Sequence, residues 1–307
     1  MKLPSPSSAE AVVSVRELTR RYGTHLVLDD VSLYVPRGSV FGLVGENGAG
    51  KTTLIKHILG QLKPENGSVR VFGLDPAADP VGVLRRLGYL SEQRDLPGWM
   101  RVDELLRYLQ AFYPAWDPQY AEALRQEFDL DPQARIKTLS QGQLAKTGLL
   151  AALAFRPELL VLDEPSSGLD PVVRRDILEA IIQTVAEEGR TVFFSSHLLD
   201  EIERVSDYVV MLHQGQVLVN GAVDLVKANH RQFVVRFERP LTELPRLSGG
   251  WLISGQGVEW RLIGSDPSYL AGEAQRLGGR IVDEQCLSLD DIFVARLGWS
   301  VAGTLPA

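Results

Sequence analysis

The chain has 307 residues, of which 45% are hydrophobic and 23% charged, so its composition is that of a folded globular protein. Lys and Arg number 32 against 39 Asp and Glu, and the formal charge of −7 argues against a nucleic-acid partner, which usually needs a basic surface. The single cysteine, Cys286, excludes an internal disulfide and a cysteine-based zinc site, and it fits a reducing compartment.

The charge distribution predicts no membrane-spanning helix. The longest segment without Lys, Arg, Asp or Glu runs from Tyr208 to Val223, and its 16 residues are fewer than the ~20 apolar residues that a span needs. Residues 1–6 lack the apolar core of a signal peptide. We therefore expect a cytoplasmic protein whose first 11 residues are disordered.

Short apolar runs predict the first strands of an α/β domain. Val12–Val15 and Val31–Val35 have strand-like patterns, and Val40–Val44 leads directly into glycines. A helix is predicted to follow from Gly50 to Leu59. Residues 80–156 then carry helical spacing punctuated by prolines, which predicts a helical insert. Its predicted helices are Val102–Phe112, Gln119–Phe128 and Gln141–Phe155.

Buried strands return after this insert. Leu159–Leu162 is a continuous apolar run, which is typical of a central parallel strand buried on both faces. A helix is predicted over Val172–Glu188, a further buried strand over Thr191–Phe194, and a hairpin over Tyr208–Val219. The first domain is expected to cover residues 12–228.

Residues 229–307 are predicted to form a separate, small α+β extension. Gln232–Phe237 and Gly250–Ile263 have strand-like patterns. Ser288–Asp291 resembles a capping box, which predicts a helix that begins there and continues to Leu297.

A glycine-rich segment between a predicted strand and a predicted helix matches the phosphate-loop pattern G-x-x-x-x-G-K-[ST]. Its backbone N–H groups and the helix N-terminus supply partial positive charge to phosphates. Lys51 would reach the β- and γ-phosphates, and the Thr52 hydroxyl would ligate Mg²⁺. The residues assigned to nucleotide binding here are Gly45, Glu46, Asn47, Gly48, Ala49, Gly50, Lys51, Thr52 and Thr53.

An acidic pair follows the buried strand at Leu159–Leu162. Ligands of open α/β sheets bind at the carboxyl ends of strands, which is where Asp163 and Glu164 stand. Asp163 suits the outer coordination shell of Mg²⁺, and Glu164 is placed to orient or activate an attacking water. Alternatively, this carboxylate pair could cap a helix and have no role in binding a ligand. With the phosphate loop, the pair indicates a P-loop ATPase or GTPase.

A third motif narrows the class. Leu139-Ser140-Gln141-Gly142-Gln143 resembles the signature sequence of ATP-binding cassette (ABC) proteins, usually L-S-G-G-Q, with Gln141 in place of one glycine. The resemblance implies that Ser140 and Gly142 contact ATP bound to a second cassette. It also implies that Tyr22 stacks on adenine, that Ser167–Asp170 is the D-loop, and that His197 is the switch histidine near the γ-phosphate.

One position departs from the commonest pattern of this family. Gly88-Tyr89-Leu90-Ser91-Glu92-Gln93 has Glu92 where most cassettes have glutamine, with Gln93 beside it. Glutamate there is similar to the subfamily that pairs with ABC-2-type membrane proteins. We assign the role of contacting Mg²⁺ or water to Glu92 and keep Gln93 as the alternative.

The resemblance implies a P-loop NTPase fold with a mixed, largely parallel sheet, an antiparallel β subdomain and a helical insert. It implies an ATPase that uses ATP and Mg²⁺, dimerises head to tail with a second copy or a homologous cassette, and drives a separate ABC-2-like transmembrane subunit. Such cassettes mostly serve exporters and lie on the cytoplasmic face of the membrane. A soluble ABC ATPase acting on ribosomes or DNA and an unrelated P-loop kinase or GTPase are the alternatives.

Overall fold

The computed structural model describes residues 11–241, 250–265 and 267–303. The chain forms two compact units, the first ending at Asn220 and the second beginning at Gly221. Residues 1–10, predicted to be disordered, lie outside the described residues, whereas Ala11 is already the first residue of a strand. No helix among the described residues is long and apolar enough to cross a membrane.

The first unit begins with a three-stranded antiparallel sheet. Its strands are β1 (Ala11–Tyr22), β2 (His25–Pro36) and β4 (Asn66–Val71), in the order β2-β1-β4. Val13 pairs with Val35 on one side and with Val71 on the other, so β1 is the central strand. Because Tyr22 pairs with His25 across the tight turn between β1 and β2, the tyrosine stands at the end of this sheet.

The second sheet of this unit has six strands in the order β5-β6-β7-β3-β8-β9. These are β3 (Val40–Val44), β5 (Leu87–Leu90), β6 (Leu159–Leu162), β7 (Thr191–Ser196), β8 (Tyr208–His213) and β9 (Gln216–Ala222). The pairs from β5 to β8 are all parallel, and β3, β6 and β7 are buried along their whole length. Their carboxyl ends therefore bring the segments after Val44, Leu162 and Ser196 to one edge of the sheet.

Helix α1 (Lys51–Ile58) packs between these two sheets. Leu54, Ile55 and Ile58 are fully buried in a core that also contains residues of both sheets. Within this core the rings of Phe41 and Phe193 stack with their centroids 5.5 Å apart. This packing fixes the amino end of α1 beside the end of β3.

A helical region separates β5 from β6. It contains α3 (Val102–Gln110), α4 (Pro118–Glu127) and α5 (Gln141–Leu153), close to the predicted positions. The prediction of a helical insert from residue 80 was too wide. The short helix α2 (Pro80–Leu84) is followed by β5, which pairs with β6 as the edge strand of the parallel sheet.

Two further helices flank the last parallel strands. Helix α6 (Pro171–Glu188) lies between β6 and β7 in the sequence and matches its prediction within one residue, whereas α7 (Leu199–Val205) was not predicted. The predicted hairpin is formed by β8 and β9, with Gln214 and Gly215 at its turn.

The second unit has its own antiparallel sheet in the order β11-β10-β12. Its elements are α8 (Val223–Ala228), β10 (His230–Leu241), β11 (Gly250–Ser265), α9 (Pro267–Arg276), β12 (Gly279–Cys286) and α10 (Leu289–Gly303). Phe233, Val235 and Leu262 pack against Leu270 of α9 in a separate core. The sequence patterns missed α8, α9 and β12.

The capping box predicted at Ser288 is present. Asp291 N donates to Ser288 Oγ at 3.1 Å, and Ser288 N donates to Asp291 Oδ2 at 3.2 Å. Helix α10 continues to Gly303, beyond the predicted end at Leu297, because no residue there interrupts the helical backbone.

Candidate active site

The phosphate loop connects β3 to α1, and its glycines are required by the backbone. Gly50 precedes α1 with φ of 108°, a left-handed conformation that side chains disfavour, and a Cβ there would lie 2.8 Å from the Val27 carbonyl oxygen. A Cβ on Gly45 would overlap the Leu212 carbonyl oxygen. The loop can therefore follow this path only with glycine at these two positions.

Lys51 is the buried cation of the loop. Its Nζ donates to the carbonyl oxygens of Gly45 at 2.6 Å and Glu46 at 3.3 Å. The same Nζ lies 3.0 Å from Glu164 Oε1. The lysine is therefore held over the loop by two of the loop's own carbonyls and by a carboxylate from the end of β6.

Glu164 stands between Lys51 and His197. Its backbone φ is 49°, and its carboxylate is buried. Glu164 Oε2 accepts a hydrogen bond from the His197 backbone N at 3.3 Å and lies 2.7 Å from His197 Nδ1. The three side chains thus form a continuous chain of contacts from Lys51 of the phosphate loop, through Glu164, to the half-exposed imidazole of His197.

The neighbouring carboxylate, Asp163, is oriented from β7. Asp163 Oδ1 accepts from Ser195 Oγ at 2.7 Å, and the same hydroxyl oxygen accepts from Glu164 N at 2.9 Å. Ser195 therefore fixes the positions of both acidic residues with a single side chain. Asp163 also donates its backbone N to Leu90 O at 2.9 Å, which connects it to β5.

Burial and nearby acidic residues raise the pKa of a tyrosine beside this site. Tyr89 lies on β5 and is only half exposed. Burial, followed by the charges of Asp163, Asp95 and Glu92, raises its pKa to about 12. The carboxylates of Asp163, Asp95 and Glu92 therefore lie close enough to the Tyr89 hydroxyl to act on it.

A cleft of about 470 Å³ opens at this edge of the sheet. It is lined by residues 46–48 and 50–53 of the phosphate-loop region, together with Tyr22, His25, Val27, Glu92 and Glu164. Tyr22 is 45% exposed, and the Arg20 guanidinium lies 4.9 Å from its ring centroid. The structure thus brings Tyr22, Glu92 and Glu164 together with the predicted loop. Gln93 is exposed and is not part of the lining.

The signature segment lies at a second cleft, of about 440 Å³, and not at the first. Ser140 Oγ accepts from Gln143 N at 3.2 Å, and Gln143 Oε1 accepts from Ser140 N at 3.0 Å, so Ser140 caps α5. Gly142 faces α6, where a Cβ would lie 3.0 Å from a methyl of Val173. Ser140 and Gly142 share this second cleft with Gly168 and Asp170.

The sequence patterns did not identify Arg94, which connects the signature segment to the residues that follow Glu164. Its guanidinium is buried and donates to the carbonyl oxygens of Pro165 at 3.2 Å and Ser167 at 2.6 Å. It also reaches Gln141 Oε1 at 3.5 Å. Burial lowers the pKa of this guanidinium. The only signal in the sequence was its position two residues after Glu92.

Comparison with known proteins identifies the family. Residues 28–167 match the family described as ABC transporter. The chain is 31% identical to the bacitracin transport ATP-binding protein BcrA of Enterococcus faecalis over 226 residues, which cover 73% of each protein. This chain belongs to the ATP-binding proteins of ABC transporters. The ABC transporter ATP-binding protein YtrB of Bacillus subtilis is 26% identical over 288 residues, 94% of this chain and 98% of YtrB.

A solved ABC cassette has the same fold. An ATP-binding subunit of an ABC transporter is 32% identical, with a TM-score of 0.65 over 71% of this chain and 92% of its own. The predicted family and the P-loop fold class are therefore confirmed. ABC cassettes bind and hydrolyse ATP, pair with transmembrane subunits and dimerise, so this chain is the ATPase subunit of an ABC transporter. None of these relatives supports the alternative of a ribosome- or DNA-directed ATPase.

Proposed function

We propose that Glu164 is the residue that positions and activates the attacking water in ATP hydrolysis. The observation that carries this proposal is the line formed by Lys51, Glu164 and His197, in which the carboxylate is held at one oxygen by each neighbour. Lys51 would bind the γ-phosphate, so a carboxylate 3.0 Å from its Nζ stands next to the reacting group. His197 fixes the orientation of that carboxylate and completes the site.

The remaining residues of the first cleft bind the nucleotide in this proposal. Tyr22 presents an exposed ring at the end of β1 for stacking on adenine, with the Arg20 guanidinium against it. The backbone N–H groups of residues 45–53 receive the phosphates at the amino end of α1. Glu92, which lines the same cleft, contacts the metal or its water, and Gln93 remains the alternative.

Thr52 and Asp163 fit the needs of Mg²⁺ in this site. The ion prefers oxygen ligands and takes most of them from phosphates and water, so one hydroxyl and one carboxylate are enough protein ligands. When bound, the ion would neutralise charge on the phosphate oxygens.

Two clefts in one chain support a composite site between two chains. Ser140 and Gly142 lie at the second cleft, whereas Lys51 and Glu164 lie at the first. We infer that the signature segment completes the site of a second copy, or of a homologous cassette, in a head-to-tail dimer. ATP bound between the chains would close the dimer, and hydrolysis would open it.

We infer that the membrane partner is a separate ABC-2-like subunit and that the transporter exports its substrate. Glu92 at the position usually held by glutamine supports this class of partner, and the similarity to a bacitracin transport ATP-binding protein supports a role in transport. The cassette would then sit on the cytoplasmic face of the membrane through its partner. The net charge of −7 gives no support to a nucleic-acid partner.

The proposed Mg²⁺ site at Thr52 and Asp163 is tested by measuring ATP hydrolysis as a function of the Mg²⁺ concentration. Purified full-length chain should release phosphate from ATP, and EDTA should abolish the release. Asp163→Asn should lower turnover by at least about 10- to 100-fold, the loss typical of even an outer-shell ligand. Asp200→Asn changes an exposed carboxylate on α7 and should leave turnover unchanged. Hydrolysis that survives EDTA or Asp163→Asn would contradict the assignment.

A further inference from the structure

A buried carboxylate outside the nucleotide cleft connects the two segments that carry Glu164 and His197. Glu201 lies in the first turn of α7 and is 2% exposed. Its Oε2 accepts hydrogen bonds from Ser166 Oγ at 2.7 Å and Ser196 Oγ at 2.8 Å. Its Oε1 lies 3.3 Å from Arg174 Nε.

The partners of Glu201 are placed next to the reacting residues. Ser166 follows Glu164 by two positions and directly precedes the D-loop, and Ser196 directly precedes His197 at the end of β7. The Ser196 hydroxyl also accepts from Leu198 N at 3.0 Å, so it holds the backbone on both sides of the histidine. One carboxylate oxygen therefore ties the end of β6 to the end of β7, where Glu164 and His197 meet.

The position of this carboxylate is not explained by the stability of an ion pair alone. A buried charge is costly to desolvate and is retained only with good partners, and a hydrophobic replacement of such a group is often equally stable. The two serine hydroxyls join this carboxylate to both loop segments and thereby hold them at a fixed separation. That separation sets the 2.7 Å contact between Glu164 and His197.

We propose that Glu201 is a positioning residue for hydrolysis, which holds Glu164 and His197 in register through Ser166 and Ser196. This inference rests on the proposed role of Glu164. Arg174, at the beginning of α6, extends the same network to the helix that follows the D-loop. Glu201 itself does not line the nucleotide cleft.

The proposal predicts a separation between turnover and ATP binding. Misplacing a reacting group by about 1 Å costs up to about 100-fold in rate, whereas the phosphate loop does not depend on these serines. In the full-length chain, Glu201→Ala should lower kcat by about 10- to 100-fold and leave the KM for ATP within about threefold. Glu201→Gln keeps an oxygen for the two serines but replaces the charge beside Arg174, so it should recover part of kcat.

Two further variants serve as controls for this test. Asp200→Asn removes an exposed charge one residue away and should match wild type in kcat and KM. If Glu201→Ala does not fold, the double variant Ser166→Ala with Ser196→Ala removes only the two hydroxyls and should show the same fall in kcat. A folded variant of either kind with wild-type kcat would overturn the proposal, and so would equal losses in kcat and ATP affinity.

A failure of the proposed role of Glu164 can be distinguished from a failure of the proposed role of Glu201. Glu164→Gln is measured in the same assay, and if it retains wild-type turnover then the role of Glu164 fails first. A loss in Glu164→Gln together with wild-type kcat in Glu201→Ala and in the double serine variant would remove only the role of Glu201.

Discussion

Lys51 Nζ lies 3.0 Å from Glu164 Oε1, and both side chains are nearly inaccessible, with 6% and 5% of their surfaces exposed. The cation proposed to bind phosphate and the proposed hydrolytic carboxylate are therefore direct neighbours. In this proposal, a phosphate that approaches Lys51 also approaches Glu164. The same pair of side chains would therefore serve both ATP binding and ATP hydrolysis. Since the two groups compensate each other's charge, removing one of them changes the environment of the other.

The first prediction concerns nucleotide affinity. Lys51→Ala should weaken ATP binding by roughly 10- to 100-fold, because it removes a charge-assisted contact of about 1.5–3 kcal/mol to the phosphates. Titration of labelled ATP into the purified chain measures this. Lys56→Ala removes an exposed lysine from the same helix and serves as the control. Equal affinity in wild type and Lys51→Ala would remove the lysine from the site.

The second prediction concerns the head-to-tail dimer. Ser140→Arg puts a bulky cation at the second cleft and should spare ATP binding but prevent closure and turnover. A mixture of Ser140→Arg chains with Lys51→Ala chains should recover part of the activity, because one composite site in each mixed dimer is intact. Ser68→Arg places the same side chain on β4 of the antiparallel sheet and should keep its own activity.

Mixed dimers must be demonstrated for that experiment, for example by differently tagged chains that purify together. If such dimers form and no activity returns, then the signature segment does not complete the partner's site. The proposal of composite sites would be wrong, while the assignments within the first cleft would stand.

The local patterns of the sequence predicted that the glycine-rich segment joins a strand to a helix and that the acidic pair follows a buried strand, and the structure has both placements. Gly45 and Gly50 are required by the path of their own backbone, and Asp163 follows a strand whose four residues are all apolar. Such features are encoded within a few residues. Strand β5 was missed because it is only four residues long and includes Gly88, where a Cβ would overlap the Ala152 carbonyl oxygen.

The connections between motifs could not be predicted in this way. Arg94 and Glu201 look like ordinary surface charges in the sequence, and only the folded chain buries them against distant partners. The contact between Lys51 and Glu164 joins residues that are far apart in the chain, and it depends on the order of β3, β6 and β7 in the sheet. No periodic pattern specifies that order.

A third prediction concerns the extension at residues 229–307. Each compact unit has its own hydrophobic core, so a chain that ends at Lys227 should remain folded and bind ATP with the affinity of the full-length chain. Circular dichroism and ATP titration measure both properties. An insoluble product, or one that has lost ATP binding, would mean that the extension stabilises the first domain.

The fourth prediction concerns pH and the second unit. His230 is buried, and its Nδ1 is hydrogen-bonded to the Val226 carbonyl. Burial first, and then the charge of Arg296, lower the pKa of His230 to about 4, against the backbone bond that raises it. As the pH falls below 6.5, the unfolded chain takes up the proton before the folded one, so stability falls between pH 6.5 and pH 4.

Between pH 7 and pH 5 this protonation should cost the wild type about 2 kcal/mol of unfolding free energy. Urea unfolding at the two pH values measures the difference. His230→Gln should show a pH dependence smaller by that amount, whereas His25→Gln, at an exposed position, should keep the wild-type dependence. The same pH dependence in His230→Gln and wild type would contradict the buried, neutral histidine.

Glu164→Gln separates ATP binding from hydrolysis, and it tests the proposed role of Glu164 most directly. Glutamine keeps the shape of the side chain and a hydrogen-bonding oxygen for His197, but it cannot accept a proton. Turnover should fall by about 10²- to 10⁴-fold, the usual worth of general-base and water-positioning effects. ATP should bind at least as tightly as to wild type, because the carboxylate that shares Lys51 with the phosphates has lost its charge.

The decisive measurement is phosphate release by Glu164→Gln, recorded in parallel with its elution volume on size exclusion in ATP and Mg²⁺. We expect almost no phosphate release and a stable dimer for Glu164→Gln, whereas the wild type should hydrolyse ATP and return to separate chains. Slow release without a trapped dimer would contradict the head-to-tail arrangement. Release at the wild-type rate would contradict the central claim that Glu164, held between Lys51 and His197, carries the hydrolysis of ATP.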